Sequence, residues 1–222
     1  MSPWTFGEPL GAVAVIALGA LAPFLATPLA VLALGEPAAR ALRPMIGIVE
    51  DVSRALEAFA RACLVVLALG MLTTVALRYV FGDSITRLNE AVMYAHALGF
   101  LMAAPAALMR DAHVRVDVFH ARLDARGKAA IDLAGYVLFL VPVMIILLLY
   151  AGPVVELAWR IGERSGETDG LPLVFALKTA MPIFAVAMLA QGCASAGRAA
   201  LTLRGLAAPP EARHLPLQEG AG

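Results

Sequence analysis

Five stretches of this chain are apolar for too long to belong to a water-soluble core. A bilayer core of about 30 Å is crossed by roughly 20 mostly apolar residues in helical form. Leu10 to Leu34 meets that length without a single charge, and four more stretches follow, at about 61–81, 91–109, 133–155 and 171–196. Only Lys178 interrupts the last. Lipid offers no partner to backbone N–H and C=O groups, so such stretches must be helices. They are apolar on every face and do not alternate as barrel strands do. The chain is 61% hydrophobic and 15% charged, against about a quarter charged in a soluble domain. The expected fold class is an all-α integral membrane protein: a four-helix transmembrane core, an extra N-terminal transmembrane helix and an amphipathic surface helix. A formal net charge of zero gives nucleic acid nothing to bind. Cys63 and Cys193 each sit inside an apolar run, where free cysteine behaves as a small hydrophobe.

The boundaries follow from where polar residues return. Residues 1–35 hold the extra helix. A secretory signal would begin with positive charge and have a shorter apolar stretch. Here the first nine residues carry no Lys or Arg, and Glu8 is acidic. A retained helix kinked at Pro23 and Pro28 is expected, with a re-entrant hairpin as the alternative. In 36–60, Ile46, Val49, Val52 and Leu56 recur at helical spacing between Glu50, Asp51, Ser53, Arg54 and Glu57. That pattern predicts an amphipathic helix at the membrane surface. The four-helix core occupies 61–203. The tail 204–222, with Pro209-Pro210 and small or polar residues, is expected to be disordered.

Loop charge sets orientation. Twelve Lys and Arg fall in the first-to-second and third-to-fourth connections and the tail; five fall on the other side. The C-terminus is therefore expected in the cytoplasm and the N-terminus in the periplasm.

Polar residues near the spans are the functional candidates, because placing them there is costly. Arg78 precedes Phe81, Gly82 and Ser84 at the outer end of the second span. Glu90 opens the third; Arg78 is expected either to snorkel to the interface beside Tyr79, or to make a specific contact with Glu90 across the hairpin or with a partner subunit. His96 and Tyr94 lie about one turn inside that span, suited to a helix–helix hydrogen bond or a proton relay. His113, Asp117 and His120 fall at i, i+4 and i+7, a metal-ligand spacing on a helix. The alternation of His113 to Val118 equally fits an extended surface segment, and nearby Arg115 and Arg122 disfavour a cation. The last loop carries Trp159, Glu163, Ser165, Asp169 and Gly170, and Pro172 suits a helix start. No phosphate-cradling glycine motif or nucleophile elbow is present. No catalytic residue, metal site or cofactor site is assigned.

In this order these residues resemble a known family, the DctQ-type small permease (Q) subunit of the tripartite ATP-independent periplasmic (TRAP) transporters. The resemblance covers about Val49 to Leu203. It rests on Arg78-Tyr79-Val80-Phe81-Gly82 with Ser84 and Glu90, and on His113-Val114-Arg115-Val116-Asp117. Glu163, Ser165, Gly170-Leu171-Pro172, Lys178, Pro182 and Gln191-Gly192 complete it. The Glu–Ser–Gly-Leu-Pro loop with Lys178 is similar to the branch associated with mannitol, chloroaromatic or 2-oxo acid uptake. Two departures stand out. Many members have four spans, and many carry a Trp shortly before the acidic residue that is Glu90 here.

The resemblance implies a non-enzymatic subunit of the bacterial inner membrane. Its partners would be a large membrane subunit that carries the substrate on a sodium gradient, a transient periplasmic solute-binding protein and the lipid bilayer. Two other readings are a free-standing five-helix secondary transporter using His96 and Lys178, and a membrane metalloenzyme using the His113 cluster. The charge count itself is testable: reporter fusions at Ser2 and Gly222 should report opposite sides of the membrane. Both ends in the cytoplasm would mean that Leu10 to Leu34 does not span.

Overall fold

The computed structural model describes residues 19, 22, 25–112 and 123–206. They form a short apolar helix, α1 (Leu25–Leu34), and four helices long and apolar enough to cross a membrane: α2 (Glu36–Phe81), α3 (Thr86–Met109), α4 (Ala125–Ile161) and α5 (Val174–Leu203). Among the described residues there is no strand. The chain is thus an all-α membrane protein with a four-helix core, as the apolar runs require. Of the expected first span, only its last part lies among the described residues, as α1.

Glycines end the helices where the sequence stops being apolar. Gly35 (φ 71°) separates α1 from α2, Gly82 (φ 72°) ends α2, and Gly162 (φ 58°) ends α4. At such left-handed positions a side chain would be strained. The last turn of α2, Leu77–Phe81, is a wide π turn, and Asp83 N–H reaches back to the Leu77 carbonyl at 3.2 Å. A second π turn, Tyr136–Leu140, sits inside α4. Asp124 caps α4, its carboxylate accepting from Gly127 N–H at 2.8 Å.

The stretch 36–60 is the first half of α2, continuous with the span that follows. Ala39, Leu42, Ile46 and Ala60 are buried against the bundle. Ser53 is buried, while Ile48, Val52 and Phe59 are exposed. No glycine or proline interrupts 48–69, so nothing in the backbone forces a break near residue 60.

Helix α5 is the centre of the bundle. It packs against α2, α3 and α4 and carries the longest run of buried residues, most of them Ala or Gly. Small residues let helix backbones approach closely in a membrane. A Cβ on Gly197 would meet Leu42 of α2 at 2.7 Å, and one on Gly192 would meet Leu140 and Tyr136 of α4 at 2.9 and 3.0 Å. Helix α1 lies over this centre: Val31 is buried with Leu42, Ala194 and Leu201, and Leu25 and Leu32 pack near Tyr136 and Cys193.

Gly99 marks the α2–α3 seam. Its absent Cβ would lie 3.2 Å from the Cys63 Cβ and 3.5 Å from the Ala60 carbonyl. Overpacking such a site costs about 1–3 kcal/mol. Gly99→Leu is therefore expected to lower the thermal unfolding midpoint of the detergent-solubilised protein. Gly152→Leu, where a Cβ meets nothing within 4 Å, should change it little.

Candidate functional site

At one end of the bundle, three elements meet: the α2–α3 turn, the first turns of α3, and the loop from Gly162 to Leu173. Glu90 of α3 ties that helix to the loop. Its carboxylate accepts from the Ser165 hydroxyl and, at 2.5 Å, from Leu171 N–H. The loop folds around that carboxylate. Ser165 N–H donates to the Leu171 carbonyl at 3.2 Å, and Gly170 N–H to the Glu167 carbonyl at 3.1 Å. A Cβ on Gly170 would collide with Ser165 and lie 2.9 Å from a Glu90 oxygen. This glycine is required by space; its φ is ordinary.

Two ion pairs close the rest of the latch. Lys178 of α5 donates to both oxygens of Glu163, at 2.6 and 2.7 Å. Arg87 of α3 pairs with the Asp169 carboxylate at 2.7 Å and donates to its carbonyl at 3.2 Å. Trp159 holds α4 to α5, its indole N–H donating to Thr179 at 2.8 Å and its ring meeting Phe175 edge-on. Pro172 is exposed beside α5. A shallow cavity of about 360 Å³ opens among Arg87, Arg164, Ser165, Glu167, Gly170 and Pro172.

The structure thus brings together Glu90, Glu163, Ser165, Asp169 and Lys178 of the sequence candidates. Arg78 is not among them. It is exposed on the terminal π turn of α2 and does not pair with Glu90. The loop supplies Glu90 with a hydroxyl and an amide, and the π turn carries Arg78 outward with Tyr79, Val80 and Phe81, all strongly exposed. Ser84 instead accepts from the Asn89 side chain at 3.4 Å, while its own N–H donates to Asp83 at 2.8 Å. His113, Asp117 and His120 lie outside the described residues. Glu163 and Asp169 are each engaged by a base, so the exposed loop is less acidic than its composition suggests. Arg164 and Glu167 are the loop charges that enter no ion pair among the described residues.

A second polar cluster sits at the opposite end. Ser53 donates to the buried Gln191 of α5 at 2.7 Å. Glu57 accepts from Arg110 of α3 and from Arg61 at 2.5 Å. Glu50 pairs with Arg198 of α5. Sequence reasoning had singled out Gln191 alone. The signal was available in Glu50, Ser53 and Glu57, which share one helical face at i, i+3 and i+7.

Both clusters are latches that fix helix ends, and the cavity by the first presents unpaired charge to the outside. A sequence model of the DctQ component of the tripartite ATP-independent periplasmic transporters matches residues 67–202. No curated protein and no solved structure matches the chain.

The geometry makes Glu90 and Ser165 a coupled pair. Glu90→Ala and Ser165→Ala should each lower the thermal midpoint, and the double variant should lose less than the sum. Arg78→Ala combined with Glu90→Ala should instead be additive.

Proposed function

This chain belongs to the DctQ family of tripartite ATP-independent periplasmic transporters, and on that premise we propose that it is the static scaffold of its complex. Members of the family are small membrane subunits that work with a large membrane subunit and a solute-binding protein; they are transporter components and not enzymes. In our reading the large subunit carries the solute and moves, and this chain holds still beside it.

The observation that carries the proposal is the latch at Glu90. Helix α3 and the 162–173 loop are tied by a carboxylate, a hydroxyl and an amide and by the Arg87–Asp169 pair, and the Lys178–Glu163 pair extends the tie to α5. The opposite end is tied by Glu57–Arg110, Glu50–Arg198 and Ser53–Gln191. A bundle locked at both ends suits a fixed frame. The four long helices run unbroken apart from their π turns, whereas solute sites in secondary transporters are commonly built on broken helices.

The reading extends to orientation and partners. The Glu90 end faces the periplasm of a bacterial inner membrane, the Arg-rich end faces the cytoplasm, and Leu10 to Leu34 spans with the N-terminus outside. The cavity rim with Arg164 and Glu167 is where a solute-binding protein docks and leaves. Exposed charge favours fast encounter over tight holding, which such a cycle needs. The transported solute is an organic acid and the driving gradient is sodium.

Reconstitution tests this. The large subunit, this chain and the binding protein should together take up labelled solute into proteoliposomes under an inward sodium gradient. Omitting this chain, or the gradient, should abolish uptake. Charge reversal at Arg164 and Glu167 should lower uptake several-fold while recovery of the membrane complex stays constant. The loss should depend on salt, since exposed charges are screened over about 8–10 Å. Full uptake without this chain would remove the scaffold role.

A further inference from the structure

Between α2 and α3 runs a groove of about 340 Å³, lined by Leu67, Met71 and Thr74 on one side and Asn89, Val92, Met93 and His96 on the other. Its two walls follow helical spacing: Leu67, Met71 and Thr74 are i, i+4 and i+7, as are Asn89, Met93 and His96. Its lips are apolar and exposed, with Met71, Met93 and Phe100 more than half open. Gly70 lets the walls meet at its floor, where Val92 occupies the space a Cβ would need.

Two polar groups in this groove are unexplained by the bundle itself. His96 is exposed, about 15 Å from one end of α3 and about 20 Å from the other. That is the middle of the span, where lipid gives an imidazole nothing to bond. The Thr74 hydroxyl is buried and has no hydrogen-bond partner. Other threonines in these helices behave differently. Thr73, Thr179 and Thr202 each donate to the carbonyl four residues earlier, at 2.8, 2.9 and 3.0 Å. Thr74 lines the groove with its hydroxyl enclosed behind the wall. Ionisable residues inside a bilayer face a protein or a water-filled cavity and not lipid chains.

We propose that this groove is the seat of a transmembrane helix of the large subunit, one that brings a hydrogen-bonding side chain to His96 at mid-membrane. The inference rests on the scaffold reading and names the face that the scaffold presents. The apolar lips supply packing, and His96 fixes the register of the incoming helix. An acyl chain would fill the volume but would leave His96 unsatisfied. A second copy of this chain would offer its own His96 only if the groove faced itself.

The test uses the complex of both membrane subunits, expressed together. A photoreactive amino acid at Met93 should, on illumination, form a covalent adduct with the large subunit. His96→Leu should reduce the amount of large subunit recovered with this chain by roughly three- to tenfold, the range of one interhelical hydrogen bond in a membrane. His96→Asn, which keeps a donor and an acceptor, should restore part of it. Adducts at Met93 with lipid alone, or with a second copy of this chain, would overturn the proposal. Unchanged recovery with His96→Leu would overturn it as well. If the wild-type subunits formed a complex but Met93 missed the large subunit, the scaffold reading would stand and this face would be wrong. If the wild-type subunits formed none, both would fall.

Discussion

The close approach of other helices to α5 is the constraint on which the structure depends. Within a bilayer, burying an apolar side chain against another helix gains little over burying it in lipid. Association then comes from contact between well-fitted surfaces and from polar groups that lipid cannot satisfy. α5 provides both. Gly192 and Gly197 admit Tyr136 and Leu42 to the helix surface, and Gln191, next to Gly192, accepts from Ser53. Three neighbouring helices can therefore share one central helix, although α2 and α4 remain largely open on their outer faces.

The polar groups are sorted by depth in a way that follows from the same medium. At the ends, charges are paired across elements: Glu57 with Arg110, Glu50 with Arg198, Glu163 with Lys178, Arg87 with Asp169. Pairs that are half open to water contribute little stability individually. Their effect is geometric, since each one fixes where a helix end or loop can lie. Glu90 differs because its partners, Ser165 and the Leu171 amide, are neutral. It organises a loop by giving that loop's donors a common acceptor.

Much of this was legible in the sequence, and the parts that were not share a cause. The four core spans could be read from apolar runs and Glu90 stood out by its costly place at a span, while Glu163, Ser165 and Lys178 entered as candidates through the family resemblance. What a linear reading could not supply was partner choice. Arg78 and Glu90 face one another across a short turn in sequence, but the π turn rotates Arg78 outward and a loop from far along the chain reaches Glu90 first. Glu163 and Asp169 looked like free surface acids because Lys178 and Arg87 come from other helices. Helical periodicity reports which residues share a face; it does not report which neighbour that face meets.

The stretch 36–60 shows the same limit from the other side. An amphipathic pattern has two faces, and its usual interpretation turns the apolar face to lipid at the membrane surface and the polar face to water. In α2 the side that meets protein carries both kinds of residue: beside the buried Leu42, Ile46 and Ala60, Ser53 meets Gln191, Glu50 meets Arg198, and Glu57 meets Arg110. Ile48, Val52 and Phe59 look outward instead. Apolar residues that look outward in a membrane protein are at no disadvantage, so the moment of the helix alone cannot choose between water and protein as the partner of its polar side. The choice lies with α3 and α5, which bring Arg110, Gln191 and Arg198 to the same end of the bundle. An acid-bearing face on one helix and a base-bearing end on its neighbours are complementary, and that complementarity lets α2 continue as one helix from Glu36 to Phe81.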